Sequence, residues 1–139
     1  MTTPYNRDYD PPAPALQIHL GAPGGPFATE PFAALIDTGA DMTIVPKEIV
    51  LTLHAPALAK AHLHSPWGEP HPIVIYLVDI GIDGARFVGI EVAADETTDE
   101  ITLGRNVLNK LPMFLDGPAR VTDLLNDATV QRLRSARGR

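Results

Sequence analysis

The 139-residue chain contains no cysteine. That excludes disulfides, a cysteine nucleophile and thiolate metal sites. Long apolar runs are also missing: the longest, Ile73 to Val78, is far too short to span a bilayer as a helix. The first residues, MTTPYNRDYDPPAPA, are polar and proline-rich, with no apolar signal core. The chain therefore reads as soluble and cytoplasmic, with no membrane partner. A basic excess is absent too, since net charge is −6. Four arginines, Arg132, Arg134, Arg137 and Arg139, crowd the last eight residues; without them seven bases face seventeen acids. Such an acidic body argues against a nucleic-acid partner, because phosphate contact needs a basic face.

Proline and glycine are plentiful, at 14 and 11 residues. That much punctuation favours short strands joined by turns over long helices. Leu16 to Leu20 alternates apolar and polar, as a half-buried strand does. GAPGGP (21–26) is turn material, and a second strand through Phe32 to Ile36 completes a hairpin. Thr43 to Val45 is a β-branched run stopped by Pro46, and Lys47 to Leu53 suits a short helix. Ile73 to Ile82 and Arg86 to Ala93 read as strands joined at Asp83-Gly84. Ile101 to Leu103 is a short strand running into Gly104 and a helix from Arg105 that Pro112 ends. Met113 to Leu115 is a last strand, and Thr122 to Arg134 suits an amphipathic helix. The expected fold class is all-β, or mostly β, with one or two short helices. Residues 1–14 read as a flexible lead-in, 15–118 as the domain, and 119–139 as a partly helical, Arg-rich extension.

The chemistry concentrates in Ala34 to Pro46, ALIDTGADMTIVP. An apolar strand drives the Asp37 carboxylate to its end, where burial would penalise ionisation unless donors surround it. Gly39 permits a tight turn whose amide approaches that carboxylate, and the Thr38 hydroxyl can satisfy a neighbouring backbone group. Taken alone, Asp-Thr-Gly equally suits an ordinary strand-end turn. A second element stands 67 positions after Asp37: ITLGRNVL, residues 101–108, centred on Gly104.

Together, in this order and spacing, the two motifs resemble those of single-lobed, retropepsin-like aspartic proteases over residues 16–118. The resemblance implies a closed β-barrel half-lobe and an aspartic endopeptidase that needs no cofactor and no metal. Asp37 would be half of a catalytic dyad, Thr38 would lock two loops across a dimer, and Gly39 would underlie the substrate backbone. Ala40 and Asp41 would meet substrate, and Asp41 would pair with Arg105. Gly104, Arg105 and Asn106 would support the catalytic turn from beneath. The single Asp-Thr-Gly implies a C2 homodimer acting on peptide or protein substrates, with apolar walls at Ala40, Met42, Ile44 and Ile90.

The chain departs from the family pattern in two places. Where relatives carry a glycine-rich flap, His64 to Pro70 has one glycine and two prolines around Trp67. Trp67-Gly68 is either a flap tip or a Trp anchoring a surface loop. Past Pro118 the resemblance ends, which leaves the dimer interface open, with Phe114 as a candidate. Two other functions compete. One is a dimerisation or peptide-binding module without activity, since fold does not imply function. The other is a zinc site at His62, His64 and His71, because positions 62 and 64 share a strand face.

Overall fold

The computed structural model describes residues 1–65 and 68–138. Its larger sheet begins with the alternation noted above. In β2 (Ala15–Gly21), Leu16, Ile18 and Leu20 are buried while Gln17 faces water. β2 runs antiparallel to β3 (Phe32–Ile36), with Ala15 opposite Leu35 and Ile18 opposite Phe32. Next in the chain come β4 (Thr43–Pro46), α1 (Lys47–Thr52), β5 (Ala57–Ser65), β6 (Gly68–Ile82) and β7 (Ala85–Asp95). β8 (Ile101–Leu103) and α2 (Arg105–Leu108) complete this part.

Across the sheet the order is β2-β3-β8-β4-β7-β6-β5, and β6 also pairs back onto β2. Leu20 and Gly21 lie opposite Ile80 and Asp79, so six strands close into a barrel and β5 lies outside the ring. Closure leaves those six without a free edge. Leu16, Ile18, Leu20, Val78, Ile80, Val92 and Leu103 fill the interior. Each fully buried aliphatic side chain contributes about 2 kcal/mol relative to exposure.

Asp83 and Gly84 turn the β6–β7 hairpin with φ of 51° and 79°. Both central residues are left-handed, as a two-residue hairpin demands. β5 and β6 form a second, longer hairpin whose distal part, from Gly68 to Pro72, is exposed. Pro70 and Pro72 fit there because this stretch of β6 pairs only with β5; pairing with β7 begins at Val74. On the unpaired side a missing N–H breaks no ladder bond.

The two ends of the chain depart from the sequence-based expectation. Residues 1–14 are not a free lead-in: β1 (Thr2–Pro4) pairs with a strand from the far end, and Asn6 and Ala13 exchange backbone hydrogen bonds of 2.7 and 3.0 Å. That partner strand, β10 (Val121–Leu124), also pairs with β9 (Met113–Asp116), making a second sheet ordered β1-β10-β9. The expected helix from Thr122 therefore starts later, as α3 (Asp127–Arg137). Asn126 caps it, its Oδ1 accepting from the Thr129 amide at 2.9 Å. Tertiary pairing with β1 overrides the apolar spacing of Leu124 and Leu125 that suggested a helix.

One buried charge ties the barrel together. Asp79, fully buried on β6, accepts from the amides of Gly24 and Gly89, both at 2.9 Å, and from Arg86 Nε at 2.9 Å. Arg86 lies over the Phe27 ring, 4.2 Å from its centroid. Burial alone would push the Asp79 carboxyl up; the two amides and Arg86 outweigh it and hold it below its ordinary value. A depressed folded value adds stability above the ordinary 3.8, and that stability is lost as pH falls through the lower folded value. Asp79→Asn places an amide NH2 against donors and removes the charge, at a cost of about 3 kcal/mol. Thermal unfolding followed from pH 7 to 2 will give a lower Tm for the variant, by about 10 °C at neutral pH. The gap will close only below about pH 4. An unchanged Tm at neutral pH would show that the charge does not tie the barrel.

Candidate active site

β3 delivers Asp37 one residue past its end, and the strand's ladder carries on into the turn. The Asp37 amide donates to the Leu103 carbonyl of β8 at 3.1 Å. The chain then folds on itself: Gly39 N donates to Asp37 Oδ1 at 2.9 Å, and Ala40 N to the Asp37 carbonyl at 3.2 Å. A short acidic side chain binding the amide two residues on is the local chemistry of an Asx turn. Asp37, Thr38 and Gly39 are all exposed and Ala40 is half-buried. The sequence suggested a carboxylate held in an apolar setting; the strand ends before Asp37, so the side chain reaches solvent.

Beneath the turn, α2 is seated against β4. Gly104 opens the helix in extended conformation, φ −92° and ψ −179°, so space rather than left-handed backbone demands glycine here. A Cβ at this position would lie 2.5 Å from the carbonyl carbon and oxygen of Met42. That close approach lets Arg105 N donate to the Ala40 carbonyl at 2.8 Å and Asn106 N to the Asp41 carbonyl at 3.3 Å. Asn106 then bridges three segments. Its Oδ1 accepts from the Thr43 amide and hydroxyl at 3.0 and 2.8 Å, and its Nδ2 donates to the Glu91 carbonyl at 2.9 Å. The Thr43 hydroxyl in turn accepts from Gly104 N at 3.1 Å.

Thr43 is the residue the sequence reading passed over. It is fully buried, and its hydroxyl links Gly104 to Asn106. In sequence it looked like one β-branched strand residue among several, and its tie to Asn106, 63 positions away, has no local signal.

The expected pairing of Asp41 with Arg105 is not formed among the described residues. Arg105 Nη1 donates instead to the Thr38 carbonyl at 2.9 Å. Arg105 and Asp41 are both exposed, and water solvates each charge without a counter-ion. The guanidinium still clasps the turn, through its backbone.

Around the turn, Met42, Ile44 and Ala61 pack on Ile73, Ile75 and Ala93, which joins the strand after the turn to the base of the β5–β6 hairpin. Ile90, expected beside them, is buried in the barrel interior and lines nothing near Asp37. Gly68 lies opposite Ser65 at the distal end of that hairpin, and Trp67 lies outside the described residues. The histidines do not converge. His62 pairs with Pro72, so His71, next to Pro72, projects to the opposite face of the hairpin. No metal-binding group of three acids or histidines occurs among the described residues.

The overall fold recurs in solved structures. A retropepsin-like aspartic protease from Rickettsia conorii aligns with a TM-score of 0.57 at 18% identity, covering 88% of this chain and 86% of that one. This is a retropepsin-like fold. The native Prototype Foamy Virus protease–reverse transcriptase gives the same likeness, with a TM-score of 0.54 at 14% identity. A foamy viral protease–reverse transcriptase in complex with double-stranded DNA follows at 0.51 and 17%. The match covers 88% and 73% of this chain but only 14% and 16% of those much longer ones. No protein-family model matches the sequence, and no curated protein does. Among the described elements, no helix is long and apolar enough to cross a membrane.

Proposed function

We propose that this chain is an aspartic endopeptidase whose active site is completed at a two-fold axis by a second, identical subunit. The observation that carries the reading is the Asp37 carboxylate, exposed at the end of β3 on a turn held from below by Arg105 and Asn106. One such turn occurs in the sequence. Asp83-Gly84 is spent on a hairpin, and Asp116-Gly117 leads from β9 towards β10. The second carboxylate therefore comes from another copy, and a C2 dimer sets like against like.

Two carboxylates brought together this way cannot both ionise cheaply and share one proton, the known arrangement of aspartic proteases. The charged member takes a proton from a water between them as the water oxygen attacks the scissile carbonyl. The protonated member donates to the carbonyl oxygen, and the tetrahedral intermediate collapses with proton transfer to the leaving amine. The cycle needs neither an acyl-enzyme nor a metal. Gly39, without a side chain, leaves room for substrate backbone above the turn, and Thr38, exposed beside the axis, is free to reach its counterpart. Met42 and Ile44, half-buried next to the turn, suit apolar side chains of an extended peptide. The projecting β5–β6 hairpin suits a cover over that peptide.

The test is hydrolysis of casein between pH 4 and 7, with and without pepstatin, at falling enzyme concentration. The expected result is pepstatin-sensitive cleavage whose specific activity drops once dilution dissociates the dimer. A monomer with undiminished specific activity would reject the shared site. A stable dimer without cleavage would assign the fold to binding instead.

A further inference from the structure

Ala34 and Ile36 of β3 pack into the barrel core, so Ala33 and Leu35 lie on the strand's outer face. Asp37 continues that outer series one residue past the strand, where the ladder still holds its amide to Leu103. About 7 Å of strand separates Leu35 from Asp37. On this face opens a cavity of about 320 Å³, at the small end of ligand pockets. Ala33, Leu35 and Ile101 give it an apolar lining, and Asp8, Asp99 and Glu100 give it charge. No base lines it: Arg7, beside Asp8 in sequence, lines a different cavity with Arg120. The N-terminal segment supplies one wall and is fixed in place. Asn6 and Ala13 exchange backbone hydrogen bonds, and the Tyr9 hydroxyl donates to Glu100 Oε1. Asp8 and Asp99 form no salt bridge among the described residues.

We infer, resting on the protease reading, that this cavity selects substrates with a lysine or arginine beside the bond that is cut. A long basic side chain matches both halves of the lining. Its methylenes lie along Ala33, Leu35 and Ile101, while its charged head stays near water and the acids. There it makes charge-assisted hydrogen bonds to Asp8, Asp99 or Glu100. A small cation fits less well, because no metal-binding group of three acids or histidines occurs among the described residues. An acidic substrate side chain would meet three like charges, and such repulsion is half of selectivity. Two-fold symmetry gives the bound peptide one such pocket on each side of the cut.

The probes are end-blocked octapeptides, Ser-Gly-Val-X-Phe-Val-Gly-Ser, with lysine, norleucine or glutamate at X. A fourth has norleucine at X and lysine in place of the first serine. It carries the same charge as the first, which separates the pocket from general attraction to an acidic surface. Cleavage by the full chain is read by mass spectrometry, and binding to the Asp37→Asn protein by anisotropy of fluorescein-labelled copies. In kcat/KM and in affinity, the peptide with lysine at X should lead the other three at least tenfold. The double variant D8K/D99K changes two exposed residues. It should pass the preference to glutamate at X, which an unfolded chain could not do. Equal results for the two lysine peptides, or an unchanged preference in D8K/D99K, would overturn the inference. Cleavage without charge preference removes the pocket and leaves the protease reading standing. Selective binding to Asp37→Asn with no cleavage by wild type does the reverse.

Discussion

Asp37→Asn will abolish peptide hydrolysis, by a thousandfold or more, in a chain that stays folded and dimeric. Acid–base catalysis at one group contributes about 10²–10⁴-fold, and in a symmetric dimer one substitution removes both carboxylates at once. An asparagine amide neither takes a proton from water nor donates one at reasonable cost. The turn itself should survive, because the amide oxygen still accepts from Gly39 N where Asp37 Oδ1 does now, at 2.9 Å. Asp37 is exposed, so no core contact is lost. Replacing the proton-sharing carboxylates with neutral amides relieves charge crowding at the axis and leaves the dimer as tight as before or tighter. Peptide-library cleavage, circular dichroism and sedimentation of both proteins check the three parts. Cleavage within tenfold of wild type would remove Asp37 from the chemistry.

Gly104→Ala will damage both stability and activity, for a reason confined to one methyl group. The added Cβ would meet the Met42 carbonyl carbon and oxygen at 2.5 Å and its nitrogen at 2.9 Å. These are backbone atoms and cannot rotate away, so α2 or the start of β4 must move. Overpacking of this kind costs about 3 kcal/mol, or about 10 °C in Tm for a domain this size. The displacement passes directly into the turn, since Arg105 N and Asn106 N hold the carbonyls of Ala40 and Asp41. A misplacement of about 1 Å at a catalytic group costs on the order of 100-fold in rate. Thermal unfolding and turnover per folded dimer measure the two effects separately. A variant with wild-type Tm and turnover would show that the close packing of Gly104 is dispensable.

The parts of the fold legible in sequence are those written in short-range chemistry. Alternation in Leu16 to Leu20 marked β2, and Asp83-Gly84 marked a hairpin whose φ angles are both left-handed. Gly104 followed by Arg-Asn marked the start of α2. Illegible parts depend on partners distant in the chain. Thr122 to Leu124 reads as the start of a helix until Thr2 to Pro4 supply the strand it pairs with. In the distal part of β6 the sequence leaves a flap hairpin and a surface loop both open, because no alternation survives where both faces meet water. Ile90, a further pocket-wall candidate beyond those next to the turn, is pointed into the barrel by β7 instead.

The site divides along the same line. The carboxylate, the glycine beside it, and the spacing to Gly104 are properties of the sequence, since residue type and order suffice to state them. The sequence alone also limits the chain to one such turn. Only the tertiary structure decided that Asp37 is exposed, that Arg105 clasps the Thr38 carbonyl rather than Asp41, and that buried Thr43 ties Gly104 to Asn106. It also separated His62 from His71 by turning them to opposite faces of one hairpin. The contacts of Arg105, Thr43 and Asn106 depend on how β3, β4, β8 and the helix α2 are brought together across gaps of more than sixty residues. Hydrogen-bond partners over that range are chosen by barrel closure and burial, which no local pattern encodes.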